Sequence, residues 1–96
     1  MFRIDEIRAG ELGVTLALSG ALTAEYVAET KARIEQLQQR SYAIKLDLAE
    51  LRRVDRVGIA FLLWATRGSI PLLHLAPYVL TWLKQEHLHN DVESIY

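Results

Sequence analysis

One stretch, Ile44 to Ala65, constrains the fold of this chain more than any other. It reads I-K-L-D-L-A-E-L-R-R-V-D-R-V-G-I-A-F-L-L-W-A. Ile44, Leu46 and Leu48 alternate with Lys45 and Asp47, the period of a strand with one buried face. Asp55 stands just before Val57-Gly58-Ile59. There an Asp side chain accepts hydrogen bonds from the first free N–H groups of a helix, so it reads as an N-cap. From Ile59 to Ala65 every residue is apolar. A helix with so little polar face is expected to pack one side on its own sheet and to offer another to a partner. Strand, short loop, capped helix and uncovered apolar flank describe a binding edge rather than a catalytic site.

The rest of the chain supplies the frame. Phe2, Ile4 and Ile7 outline a first strand, with a turn at Ala9-Gly10-Glu11. Val14, Leu16 and Leu18 alternate with Thr15, Ala17 and Ser19 in a second strand that Gly20 is expected to end. The two are near in sequence and are predicted to pair as an antiparallel hairpin. Thr23 is the predicted cap of a helix over Ala24 to Gln39. Val27, Thr30, Ile34 and Leu37 form its inward stripe, and Glu29–Arg33 and Lys31–Glu35 are spaced as opposite-charge pairs on its wet side. After the central helix, Gly68 is placed to take the left-handed conformation past the helix end. Pro71 opens a short strand, Leu72 to Leu75. Pro77 sits in the first turn of a third helix, with Tyr78, Val79, Trp82 and Leu83 as packing residues. Val92 to Tyr96 reads as an edge strand or an irregular end. The order β-β-α-β-α-β-α, with an optional last strand, is an α/β domain with a mixed sheet. The Asp55 loop is then expected at the carboxyl end of its strand, where open α/β sheets bind ligands.

Composition narrows the function classes. Ninety-six residues make one domain with a core of its own, at 51% hydrophobic and 24% charged. A formal net charge of −1 provides no overall field for nucleic acid. The absence of Cys excludes a disulfide framework, a thiolate metal site and a Cys nucleophile. The N-terminal residues have no signal-peptide core and no apolar run is long enough to enter and span a bilayer, so a cytoplasmic protein is expected.

The central stretch resembles the STAS domain family, which includes the bacterial anti-sigma-factor antagonists. The family pattern is a strand ending in D-L, a short loop, then D-S-x-G opening an apolar helix. Asp47-Leu48 and Asp55-x-x-Gly58 match it, and the order of elements fits residues 1–96 as a single STAS-like domain. The loop Ser19 to Thr23 is similar to the family's G-E-L-D loop, with Ala21 and Thr23 where the family has its two acids. The connection after the central helix is shorter than the family's. The family's regulatory Ser falls at Arg56, and no residue from Arg52 to Gly58 is Ser or Thr. A serine or threonine phosphorylation switch therefore has no acceptor at this loop.

The resemblance implies a non-enzymatic module for protein–protein contact, without a cofactor. Its typical partner is an ATP-binding anti-sigma kinase, and the outcome is release of a sigma factor. The expected contact residues are Thr23, Arg53, Asp55, Arg56, Val57, Gly58, Ile59 and Leu62, a basic patch with Arg52 beside an apolar helix that meets an acidic surface. A second reading is a STAS subunit on the ATPase of a phospholipid-transport ABC system or in a signalling assembly, a branch whose members keep a hydroxyl residue at the motif. A third is nucleotide or small-ligand binding at the N-terminus of the central helix. A homodimer through the apolar helix is compatible with all three. His87 and His89 with Asp91 and Glu93 have metal-ligand chemistry but do not align on one helix face, and solvated residues are the expectation. His74 is expected at least half-buried in its strand. Asp47 and Asp55 lack a nucleophile beside them, so structural roles outweigh acid–base work. Trp82 reads as core.

Overall fold

The computed structural model describes the backbone of residues 1–95 and the side chains of residues 1–86. Its elements are β1 (Phe2–Ala9), β2 (Gly13–Leu22), α1 (Ala24–Gln39), β3 (Ala43–Asp47), β4 (Leu51–Val54), α2 (Arg56–Arg67), β5 (Leu72–Leu73) and α3 (Pro77–Ile95). They form a mixed sheet in the order β1-β2-β3-β5, with β4 paired to β2. The hairpin β1–β2 is antiparallel, as its short connection requires, while β3, β4 and β5 run parallel to their neighbours. Even-numbered residues of β1, β2 and β3 share one face, because Ile4 faces Leu18 and Val14 faces Ile44. That face is the buried one: Leu16, Leu18, Leu22 and Leu46 lose all contact with water. Each contributes about 1.5–3 kcal/mol relative to an exposed side chain. Thr30, Ile34 and Leu37 of α1 and Ile59 and Leu62 of α2 close the core over it.

Several expectations are corrected. β2 does not stop at Gly20. Gly20 takes φ 89°, where a Cβ would lie 2.1 Å from the Met1 carbonyl oxygen, so only glycine lets the strand run on to Leu22. The extended end pairs with β4 across a register shift, and β4 is a strand where a loop was expected. Gly68 has φ −85°; Ser69 takes the left-handed position at φ 63°. Ile70 N donates to Ala65 O and Ser69 N to Thr66 O, closing α2 in a Schellman motif. β5 keeps only Leu72–Leu73. α3 continues to Ile95 instead of yielding to a strand from Val92, and Tyr96 lies outside the described residues. On α1, Arg33 pairs with Glu6 of β1, and Lys31 Nζ stands 4.6 Å from the Trp64 ring centroid, in place of the pairings expected along the helix. Among the described residues no helix is long and apolar enough to cross a membrane.

Candidate functional site

The loop between β4 and α2 is built on one carboxylate. Asp55 Oδ1 accepts from Gly58 N at 2.7 Å, the N-cap read from the sequence, and Oδ2 accepts from Ala24 N at 2.9 Å, thirty-one positions away. One side chain thus caps α1 and α2 together. Thr23 is the N-cap residue of α1 by position, but its side chain makes no cap bond. The two N–H bonds, that of Ala24 first, hold the Asp55 carboxyl below its ordinary pKa. The positive end of α2 is therefore already occupied by the protein's own anion, which works against the small-ligand reading of this terminus. Gly58 is buried, and a Cβ there would lie 2.4 Å from Leu22 O and 2.8 Å from Val54 Cγ1. Glycine allows α2 to start hard against the ends of β2 and β4.

The double cap draws Thr23, Asp55, Arg56 and Val57 together, with Arg53 on the strand leading in. Val57 is 45% exposed, and the Arg56 side chain is 82% exposed. Arg52 and Arg53 are exposed as well. Arg56 Nη2 lies 3.6 Å from Glu86 Oε1, an oxygen that also accepts from Trp82 Nε1 at 3.3 Å. Tyr78 Oη donates to the Arg52 carbonyl at 3.4 Å. Tyr78, Trp82 and Glu86 are spaced four apart, one face of α3, so the periodicity held a signal that this helix borders the site. Tyr78 is 51% exposed and joins the rim.

The apolar ridge is corrected. Ile59 and Leu62, expected at the partner surface, are 1% and 0% exposed, and Phe61, Leu63 and Ala65 are buried too. Both α1 and α3 pack against α2, and most of its apolar residues are buried inside the chain. Only Ala60 is exposed and Trp64 half-buried between Ile59 and Ala65. Ile59 and Leu62 are core residues, and self-association through α2 loses its surface. His74 is exposed, at φ 59°. Its Nδ1 donates to Asp47 Oδ1 at 2.9 Å, and Ala49 N donates to the same oxygen at 3.0 Å. The His74 bond, then the Ala49 bond, hold the Asp47 carboxyl below its ordinary pKa. Asp47 and Asp55 thus accept from different partners. The side chains of His87, His89, Asp91 and Glu93 lie outside those described.

No curated protein matches the sequence. Solved structures share the fold. The anti-sigma factor antagonist SpoIIAA in its unphosphorylated form aligns with a TM-score of 0.70 at 18% identity, over 95% of this chain and 98% of that one. An uncharacterised DUF3478-family protein from Shewanella loihica with a SpoIIAA-like fold aligns at 0.53 and 16% identity, over 85% of this chain and 93% of that one. A structure described as Mglu aligns at 0.58 and 18% identity, over 78% of this chain but 19% of that one. The model of a STAS family, described as "Mlab, STAS domain", matches residues 7–91, and the chain belongs to that STAS family.

Proposed function

We propose that residues 1–96 act as one non-enzymatic docking domain that binds an acidic surface of a protein partner through the β4–α2 corner. Arg53, Arg56 and Val57 make the contact, with Thr23 at its rim. Asp55 and Gly58 shape the corner without reaching the partner. The observation that carries this reading is Val57, a β-branched apolar residue left 45% exposed next to the exposed Arg56, on a helix start fixed by two cap bonds. A rigid, partly apolar point inside a basic fringe fits a protein contact better than it fits bulk water. Without a Ser or Thr from Arg52 to Gly58, docking is not switched by phosphorylation there. An ATP-binding kinase of the anti-sigma type is the partner this reading favours. The Mlab description of the matching family favours a second partner, the ATPase of a phospholipid-transport ABC system. Affinity capture from the native cell separates the two by which ATP-binding protein co-elutes. Arg56→Glu is expected to reduce its recovery severalfold, and undiminished recovery would remove the corner from the interface.

A further inference from the structure

β1 is a free edge of the sheet. It pairs only with β2, and no outward backbone bond is made from Phe2 to Ala9 among the described residues. Met1 O accepts from Ala21 N at 2.9 Å. Bonding direction alternates along an antiparallel strand, so odd-numbered residues face β2, and Phe2, Ile4, Glu6 and Arg8 turn their N–H and C=O groups outward. An edge of eight residues is a template for another strand.

The side chains decide which strand fits. β1 reads Phe2-Arg3-Ile4-Asp5-Glu6-Ile7-Arg8-Ala9. When a strand pairs antiparallel with its own copy across a twofold axis, facing residues must lie on the same sheet face, so the axis passes through a residue. An axis at Asp5 sets Asp5 against itself, and one at Glu6 sets Glu6 against itself; like charges directly opposite are destabilising. An axis at Ile4 sets Arg3 opposite Asp5 twice, a pair each chain already makes internally at 3.0 Å, but leaves Phe2 opposite Glu6, whose free oxygen gains no donor. An axis at Ile7 sets Ile7 against Ile7 and, on the other face, Glu6 opposite Arg8 twice.

Three observations converge on that last register. Ile7 is 53% exposed on the face away from the helices. The Glu6 carboxylate has Arg33 on one oxygen, while Oε1 is buried without a hydrogen-bond partner among the described residues. A groove of about 440 Å³ lies between β1 and α1, lined by Ile4, Glu6, Glu29, Ala32, Arg33 and Gln36. In this register Arg8 of a second copy comes opposite Glu6, turning from its place 4.6 Å over the Tyr42 ring centroid toward this groove.

We propose that the chain self-associates through Asp5–Ala9 of β1, joining two sheets into one across a twofold axis at Ile7. The contact is short, so the dimer is weak and forms at high concentration or on a shared scaffold. It uses the hairpin end of β1. The opposite end lies beside Gly20 and β4, so the β4–α2 corner of both copies stays open and the inference does not depend on what that corner binds.

The chain has no cysteine, which permits a direct test in residues 1–96 as they stand. The facing Ile7 residues form a non-hydrogen-bonded pair with Cα atoms about 4.5 Å apart, within disulfide range. Under mild oxidation Ile7→Cys is expected to give a covalent dimer at least about tenfold faster than Arg3→Cys, an exposed site on the same face with no counterpart in this register. Equal rates, or an Ile7→Cys chain that stays monomeric, would overturn the proposal. Arg8→Glu replaces both attractive cross-strand pairs at Glu6 with carboxylate facing carboxylate. In sedimentation equilibrium of the otherwise unmodified chain it should weaken the dimer roughly tenfold with circular dichroism unchanged, and an unaltered dimer constant would overturn the register.

Discussion

Removing the Asp55 carboxylate is the sharpest test of how the β4–α2 corner is built. Its two oxygens satisfy one free N–H at the start of each of two helices. Loss of an ordinary N-cap side chain costs about 0.5–2 kcal/mol, with a typical value of ~1. The charge beside each helix dipole adds about 0.3–1 kcal/mol, part of which the cap bonds already contain. Asp55→Ala is therefore expected to cost about 2–3 kcal/mol. Asp55→Asn keeps one acceptor and turns an NH₂ toward the second N–H, so it should fall between, at about 1–2 kcal/mol. In a domain of this length 1 kcal/mol moves Tm by about 4–8 °C, and the Ala variant should melt some 10–20 °C lower. Urea titration by circular dichroism reads the effect as a lower midpoint with an unchanged slope. The folded-state pKa of Asp55 is depressed, so its contribution is complete above the unfolded value, about 3.9, and fades as pH falls through the folded one. The gap between wild type and Asp55→Asn should accordingly narrow in acid. An Ala variant within about 0.5 kcal/mol of wild type, the ordinary range for a surface change, would refute the double cap.

Two further outcomes follow from neighbouring geometry. Gly58→Ala should destabilise by about 1–3 kcal/mol, although alanine is the better helix former by ~1 kcal/mol, because its Cβ meets Leu22 O and Val54 Cγ1 at 2.4 and 2.8 Å. A chemical melt showing stabilisation would mean that α2 can move off the sheet. His74→Ala should raise the Asp47 carboxyl pKa toward its ordinary value by removing the leading cause of its depression, and should weaken Asp47's share of stability, which is lost as pH falls through the folded pKa. An NMR titration of Asp47 left unmoved would refute that bond.

How far this architecture could be read in advance depended on the range of the interaction that fixes each part. The hairpin, α1, β3 and α2 rest on patterns a few residues long, and Asp47-Leu48 with Asp55-x-x-Gly58 placed the corner on the right elements. β4 could not be read that way. Leu51 and Val54 stand three apart around two arginines, and the strand exists because β2 runs past Gly20 and offers it a partner. The cap on Ala24 was equally hidden, since Thr23 is the expected local cap and the actual acceptor lies thirty-one residues on. The apolar run of α2 was legible, but its reading as a partner surface was not sound. An all-round apolar helix is also what a chain makes when two other helices flank it.

Arg56 is the exposed arginine of the corner's ion pair, and its energetics bear on the proposed role. It occupies the first position of α2, where a cation is disfavoured by about 0.3–1 kcal/mol. Its ion pair with Glu86 spans 3.6 Å with the Arg side chain 82% exposed, and such pairs contribute little. Asp55 next to it is committed to two backbone N–H groups, and Glu86 Oε1 is shared with Trp82. Folding alone therefore gains little from an arginine here. A local choice that opposes its helix end without an internal return is what recognition sites carry. The contact proposed for the basic fringe would supply that return from outside the chain.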